Sequence, residues 1–206
     1  MKIVVLGSHG TGKTTLTRQL HNYLQDKYKT RVKKVDALGC NIEKAKNLTK
    51  SIHGLELPWK YLPEAPVEAF RKGFTMNEDT SLESEWWIIA KQIEMEMLTP
   101  IPWIADKCLI DILVYAYFLF KEEKDFLAVA EKMIKKNIDY DLVIYLPVGE
   151  FPIEDDGLRS LDPKFQKDID ELLLKVMGEM NIPYHVVSGK RDERTAKARK
   201  IIDDIF

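Results

Sequence analysis

The chain has 206 residues, 45% of them apolar, with 31 basic against 33 acidic side chains and a net charge of −2. A chain of that length carries about one domain and buries roughly 70% of its unfolded surface, which excludes a disordered, collagenous or low-complexity polymer. The near-neutral balance argues against a nucleic-acid coat, and two cysteines, Cys40 and Cys108, fit a reducing cytoplasm better than a disulfide scaffold.

Residues 2–6 form an apolar run closed by a glycine and predict a buried strand. A strand that early leaves no room for a secretory leader. Leu16, Leu20, Tyr23, Leu24 and Tyr28 recur at helical spacing and predict a helix over 13–28. Residues 31–38 alternate and predict a second strand, closed by Asp36-Ala37-Leu38-Gly39. Residues 41–52 read as a short helix. A proline-rich stretch, 57–66, frames a short strand at 60–62 and opens onto a helix from Pro66 to about Lys72.

Thr80 or Ser81 caps a long helix reaching about Leu98, with Glu83 and Glu85 in its first turn. A strand at 103–105 follows, then a nearly all-apolar helix at 111–120 and an amphipathic one at 123–137. Residues 142–146 are a clean buried strand. The stretch 150–163 is acidic, with turn signals at Asp156-Gly157 and Asp162-Pro163. A helix at 164–180, a strand at 184–187 and a helix from about 192 complete the chain. The longest uncharged apolar run, Ile112 to Phe120, is far short of the about 20 residues that span a bilayer. Strands alternating with helices predict a parallel sheet covered on both faces.

Gly7-Ser8-His9-Gly10-Thr11-Gly12-Lys13-Thr14 fits G-x-x-x-x-G-K-[ST] in full. The glycines let the backbone curl so that successive N–H groups point at phosphate oxygens. The helix that follows aims its positive end at the same place, with Thr15 in its first turn. Lys13 would reach the β- and γ-phosphates, and the Thr14 hydroxyl would ligate Mg²⁺. His9 either touches the terminal phosphate or stands exposed, and exposure is the better expectation. Asp106, at the end of a strand, is the candidate second metal carboxylate, against a plain helix cap. Asp36 is its rival, because D-x-x-G after a strand is a GTPase feature. No N-K-x-D, the guanine-reading signature, occurs anywhere in the chain.

Further segments stand in a fixed order. Glu64-Ala65-Pro66 with Arg71 is similar to an E-x-x-R or E-P segment. Asn77, Glu78 and Thr80 precede Trp87, Ile88, Gln92 and Glu96 on one helix. Asp106-Lys107-Cys108 with Asp111 is similar to D-R-S followed by an aspartate. Asp156-Gly157-Leu158-Arg159-Ser160 is similar to a D-G-x-R lid, and Arg191-Asp192-Glu193-Arg194 to a basic opening of the last helix. With the phosphate loop, this order resembles the P-loop nucleoside and nucleotide kinase-like ATPases, closest to the NadR-type ribosylnicotinamide kinase branch, with deoxynucleoside and thymidylate kinases more distant. The likeness covers most of the chain except 39–60.

The resemblance implies a single α/β domain of P-loop kinase type over 1–206. It would have three α/β/α layers on a five-stranded parallel sheet, an acceptor-binding region at about 39–98 and a lid at about 150–163. It implies transfer of the γ-phosphoryl group of ATP, with Mg²⁺, to a nucleoside, nucleotide or similar small acceptor. Lys13 and Asp106 would serve the donor, and Arg159 would enter from the lid. Glu64 would take the acceptor hydroxyl proton, and Arg71, Trp87, Gln92 and Lys107 would face the acceptor. Lys107 replaces an arginine, so bidentate phosphate binding is lost there.

Plainer readings stand beside these. Glu64 is a helix cap, Arg71 an exposed helix arginine, Arg159 a surface ion pair, Trp86 and Trp87 core. Tyr115 and Tyr117 are core, and Lys27, Lys29, Arg31, Lys33 and Lys34 form a solvated face. Two other functions share the motifs: a kinase acting on a 5′-hydroxyl or hydroxymethylated base of DNA, disfavoured by the charge, and an NTP-driven switch without an acceptor.

Overall fold

The computed structural model describes residues 1–37, 58–153 and 160–205, with side chains described only to 29 in the first segment. The strands are β1 (Lys2–Leu6), β2 (Lys60–Leu62), β3 (Trp103–Asp106), β4 (Leu142–Tyr145) and β5 (His185–Val186). The helices are α1 (Lys13–Ala37), α2 (Ala65–Arg71), α3 (Leu82–Leu98), α4 (Leu109–Leu119), α5 (Lys124–Asn137), α6 (Pro163–Glu179) and α7 (Arg191–Ile205), with a 3₁₀ turn at Asn77–Asp79. The strands form one sheet in the order β2-β3-β1-β4-β5, and every pairing is parallel. This is the expected P-loop α/β architecture.

Alternation along β1 splits the core in two. Val4 and Leu6 face a cluster built with α2 to α6, including Trp103, Leu113 and Phe165. Ile3 and Val5 face the other side, against Leu16, Leu20 and Leu24 of α1 and Ala198 and Ile202 of α7. Central strands buried on both faces read as continuous apolar runs, which is how β1 and β4 stand in the sequence. The register pairs Val5 with Asp106 and Leu6 with Tyr145. The carboxyl ends of β1, β3 and β4 therefore lie side by side, the edge where open α/β sheets bind ligands.

The strand expected at 31–38 is a correction. Those residues continue α1 to Ala37 as far as they are described, and the strand beside β3 is β2. No glycine or proline interrupts 13–37, and Lys and Arg are good helix formers. Val32 and Val35 are three apart, a helical spacing that would put them on opposite faces of a strand. Asp36 thus sits on a helix, and the post-strand D-x-x-G reading lapses. The helix expected at 41–52, and Cys40, lie outside the described residues. Other boundaries shift by a few residues at most, and Ser81 is the cap of α3, accepting from the Ser84 N–H. Among the described residues no helix is long and apolar enough to cross a membrane.

Candidate active site

The loop from Gly7 to Gly12 links β1 to α1. Gly7 has φ +147°, and a Cβ there would lie 2.5 Å from the Leu146 carbonyl oxygen, so no larger residue fits. Gly12, at φ +84°, turns the chain into the helix, whose first bond runs from Leu16 N–H to Gly12 C=O. The loop is braced from four directions. Thr11 Oγ1 donates to the Ser8 carbonyl at 2.9 Å, and Gln166 of α6 donates to the His9 carbonyl at 2.7 Å. Asp111 of α4 accepts from the Gly7 N–H at 3.4 Å and from the Cys108 N–H at 3.0 Å. Arg194 of α7 donates to the Thr11 carbonyl.

Arg194 is 2% exposed and holds more than the loop. It is ion-paired with Glu150, donates to the Pro147 carbonyl at 3.4 Å and lies 4.7 Å from the Phe151 ring centre. Removing one partner of a mostly buried ion pair leaves the other uncompensated. Arg194→Ala is expected to lower unfolding free energy by about 2–4 kcal/mol, read from urea titrations against wild type.

Lys13 is 5% exposed, and its Nζ donates to the Ser8 carbonyl at 2.7 Å. Burial pushes its pKa down to about 8, with Lys107 adding repulsion. Asp111, Asp106 and Glu64 offset only part of that, so a bound polyanion would favour its charged form. Asp106, fully buried at the end of β3, is held above the usual carboxylate range by burial and by Glu64. Its Oδ2 accepts from the Tyr61 hydroxyl at 3.4 Å, while its Oδ1 is buried without a hydrogen bond.

Glu64 stands at the N-cap position of α2 but makes no capping bond, so the plain cap reading does not describe its side chain. Instead it is ion-paired with Lys107 Nζ at 3.3 Å. Lys107 follows β3 with φ +68°, a strained conformation for a residue with a side chain, held in place by the turn into α4. Burial works against its charge, yet Glu64, Tyr115 and Asp111 hold its ammonium above the ordinary lysine range. Its Nζ lies 5.0 Å from the Tyr115 ring centre, and the Tyr115 hydroxyl is 3.2 Å from His9 Nδ1. His9 is a correction. It is 6% exposed, packed 5.4 Å from the Phe165 ring, because α4 and α6 close over the loop.

One cavity joins these groups. His9, Gly10, Gly12, Lys13, Thr14 and Thr15 line its loop end, and Glu64, Lys107, Asp111 and Tyr115 line its middle. Met76, Ile88, Ile112 and Leu119 make an apolar far wall that also holds Glu85. The structure thus brings the loop, Glu64 and Lys107 together as expected, with Asp106 buried among them through its electrostatic contact with both Lys13 and Glu64. Glu85 and Tyr115 were read only as a first-turn acid and as core.

Three acceptor residues are not brought there. Arg71 is exposed on α2, outside the cavity lining. Trp87 packs on Phe74, with ring centres 5.3 Å apart, and Trp86 packs edge-on against Phe126. Gln92 is fully buried outside the cavity lining; it donates to Glu96 Oε1 at 2.8 Å, and its own Oε1 has no hydrogen bond. Arg159 lies outside the described residues. Its neighbour Ser160 donates to Glu78. Of the basic cluster, Lys27 pairs with Asp203 and Lys29 with Asp26. The side chains of 31–34 are outside the description.

The Gln92 cluster gives a stability prediction. Glu96 also accepts from the Tyr140 hydroxyl at 2.8 Å, and burial pushes its pKa up to about 7. The fold therefore keeps a proton on Glu96 that the unfolded chain has lost above its ordinary value, so this contribution is present below pH 4.5 and lost as pH rises towards 7. Glu96→Gln carries no such proton. Its stability relative to wild type is expected to rise by about 3 kcal/mol between pH 4.5 and 7.5, measured by urea unfolding at both values.

A candidate Mg²⁺ position is formed by Thr14 and Asp106. The orphaned Asp106 Oδ1 and its contact with the Thr14 hydroxyl fit that ion. Among the described residues no group of three or more His, Cys, Asp or Glu could hold a metal alone, so most ligands would come from the nucleotide and water.

A P-loop carrying a braced glycine loop, a buried lysine and a carboxylate pocket at the carboxyl edge of a five-stranded parallel sheet defines a nucleoside/nucleotide kinase-like fold. The sequence profile of the AAA domain matches residues 45–194, well over half of the chain, and the chain belongs to that family. The match begins after the phosphate loop, whose assignment rests on its own sequence and geometry. No curated protein matches the sequence.

Three solved structures place the fold. A NadR protein in complex with NAD and AMP-PNP superposes with a TM-score of 0.68 at 15% identity, over 98% of this chain and 48% of that one. A deoxyadenosine kinase from M. mycoides, with dCMP and dCDP bound, gives 0.64 at 13% identity over the full length of both. A thymidylate kinase from Ehrlichia chaffeensis gives 0.59 at 14% identity over 98% of each. The chain spans about half the length of the NadR structures.

Proposed function

We propose that the chain is an ATP-dependent phosphotransferase that moves the γ-phosphoryl group to a nucleoside, nucleotide or similar small acceptor. The observation that carries this reading is the single cavity in which a P-loop and its Lys13 face Glu64, a carboxylate ion-paired to Lys107 rather than capping its helix. In the proposed reaction the loop N–H groups and Lys13 cradle the donor phosphates. Mg²⁺, held by Thr14 and Asp106, would neutralise phosphate charge. Glu64 is positioned to accept the proton of an acceptor hydroxyl as that oxygen attacks. Lys107 orients the Glu64 carboxylate through their ion pair. Arg159 would enter from a lid at about 150–163 to offset charge on the transferring group. Residues 1–206 are read as one such kinase domain, acting in the cytoplasm, with the acceptor side built from about 39–98.

The NadR structures hold AMP-PNP with NAD, and NR, and the deoxyadenosine kinase holds dCMP and dCDP, ligands that support an ATP-type donor and a nucleoside-type acceptor here. The test is incubation with γ-labelled ATP and Mg²⁺ beside nucleosides, nucleoside monophosphates and single- and double-stranded DNA. Label on a small molecule supports the proposal. Label only on DNA, or release of free phosphate alone, overturns it.

A further inference from the structure

The far end of the cavity holds a carboxyl group that the phosphoryl-transfer scheme does not use. Glu85, in the first turn of α3, is 3% exposed and lines the cavity. The other acids in the lining have partners: Glu64 has Lys107, and Asp111 has two backbone N–H groups. Glu85 Oε1 is buried with no hydrogen bond. Burying a polar oxygen unpaired is costly, so such an atom facing a cavity marks a place where a ligand donor belongs.

Its surroundings narrow the donor. Ile88 lies one turn further along α3, and Ile112, Leu119 and Met76 complete an apolar wall. That wall suits a flat ring and offers nothing to a phosphate. Of the four cations in the lining, Lys13 and Arg194 bond loop carbonyls, Lys107 pairs with Glu64, and Arg191 opens α7. A ring lying here would place its sugar towards Glu64 and its edge towards Glu85.

We propose that Glu85 reads the acceptor, taking an N–H of an amide or exocyclic amine on the flat ring of a nucleoside-type acceptor held between Ile88 and Ile112. This rests on the kinase reading above. It makes Glu85, and not Gln92, the specificity-determining side chain of α3. An acceptor with a carboxylate at the same ring position offers no N–H and brings a charge against an apolar wall, so it binds more weakly. Burial pushes the Glu85 pKa up to about 8, and the charge of Lys107 offsets only part of that rise.

The experiment uses two matched pairs of probes, adenosine with purine riboside and nicotinamide riboside with nicotinate riboside. In each pair the first member carries the N–H group and the second lacks it. Binding is measured by calorimetry with the nucleotide absent, and transfer separately with labelled ATP, on wild type, Glu85→Gln and Glu85→Leu. Melting temperatures establish that each variant is folded. Replacing a buried unpaired carboxyl by a neutral side chain is expected to leave melting unchanged or raise it.

For at least one pair the wild type is expected to bind the N–H member about tenfold to hundredfold more tightly. Glu85→Leu is expected to bring both members within about twofold, and Glu85→Gln, whose amide oxygen still accepts, to keep part of the preference. A wild type without preference in either pair, or a preference that survives Glu85→Leu, overturns the proposal. Binding of none of the four does so too. Because binding is read without ATP, a chain that binds selectively but never transfers label refutes the kinase reading alone. A chain that transfers label with the same selectivity in Glu85→Leu refutes the role of Glu85 alone.

Discussion

Lys13→Ala is expected to lower phosphoryl transfer by about 10²–10³-fold or more while the protein stays folded. Removal of one preorganised donor from a developing charge typically has an effect of that size, and Lys13 is the loop cation proposed to face two phosphates. The fold should tolerate the change. Burial and the charge of Lys107 hold the lysine below its ordinary pKa against the pull of Asp111, Asp106 and Glu64, so its charge is a net burden on the native state when no anion is bound. The bond to the Ser8 carbonyl and the attraction to Asp111, Asp106 and Glu64 are lost, against the relief of a buried charge. Melting temperature within a few degrees of wild type, together with loss of transfer in a γ-labelled ATP assay, is the predicted pair of results. Full activity in a folded Lys13→Ala protein would contradict the loop assignment.

Glu64→Gln separates the two kinds of acceptor. If Glu64 accepts a hydroxyl proton, the amide is expected to reduce kcat by about 10²–10⁴-fold with little change in KM, the range of general-base contributions. If the acceptor is already a phosphate, no base is needed, and the variant loses only orientation through the broken ion pair with Lys107. Steady-state rates with a nucleoside and with its monophosphate distinguish the cases. An equal, small loss for both acceptors would remove Glu64 from the reaction and leave it as the partner of Lys107.

What could be read in the sequence and what could not divides along contact range. The phosphate loop, β1 and the Asp106 strand end are contiguous signals, and the structure sets them side by side because parallel pairing puts Val5 next to Asp106. At 31–38 a short alternation such as Val35 with Ala37 suggests a strand, whereas Val32 and Val35, three apart, keep the period of α1. A glycine or proline between 28 and 31 would have been needed to end α1 there, and none is present. His9 was expected to be exposed because nothing near it in sequence buries it. The rings that do, Tyr115 and Phe165, arrive from α4 and α6.

The acceptor end shows the same limit more sharply. Helical spacing puts Glu85, Ile88, Ile89, Gln92 and Glu96 on one face of α3, and all five are buried. That face could be read from sequence, and with it Glu85. Which part of it borders the cavity and which part packs into the body depends on how α3 crosses the sheet. The cavity takes Glu85 and Ile88, whereas Gln92 and Glu96 lie against Tyr140 and the turn into α4. The sequence pointed to the polar residue with the more versatile amide, and the fold assigns the cavity to the acid about two turns earlier.

The most direct test of the account is a crystal structure of the protein with a non-hydrolysable ATP analogue, Mg²⁺ and adenosine. The account predicts the β- and γ-phosphates within hydrogen-bond distance of Lys13 Nζ and the loop N–H groups, with an acceptor hydroxyl against Glu64 in the same cavity. Nucleotide bound away from Gly7–Thr14, or an acceptor seated where Glu64 cannot reach it, would contradict the claim that donor and acceptor share one site.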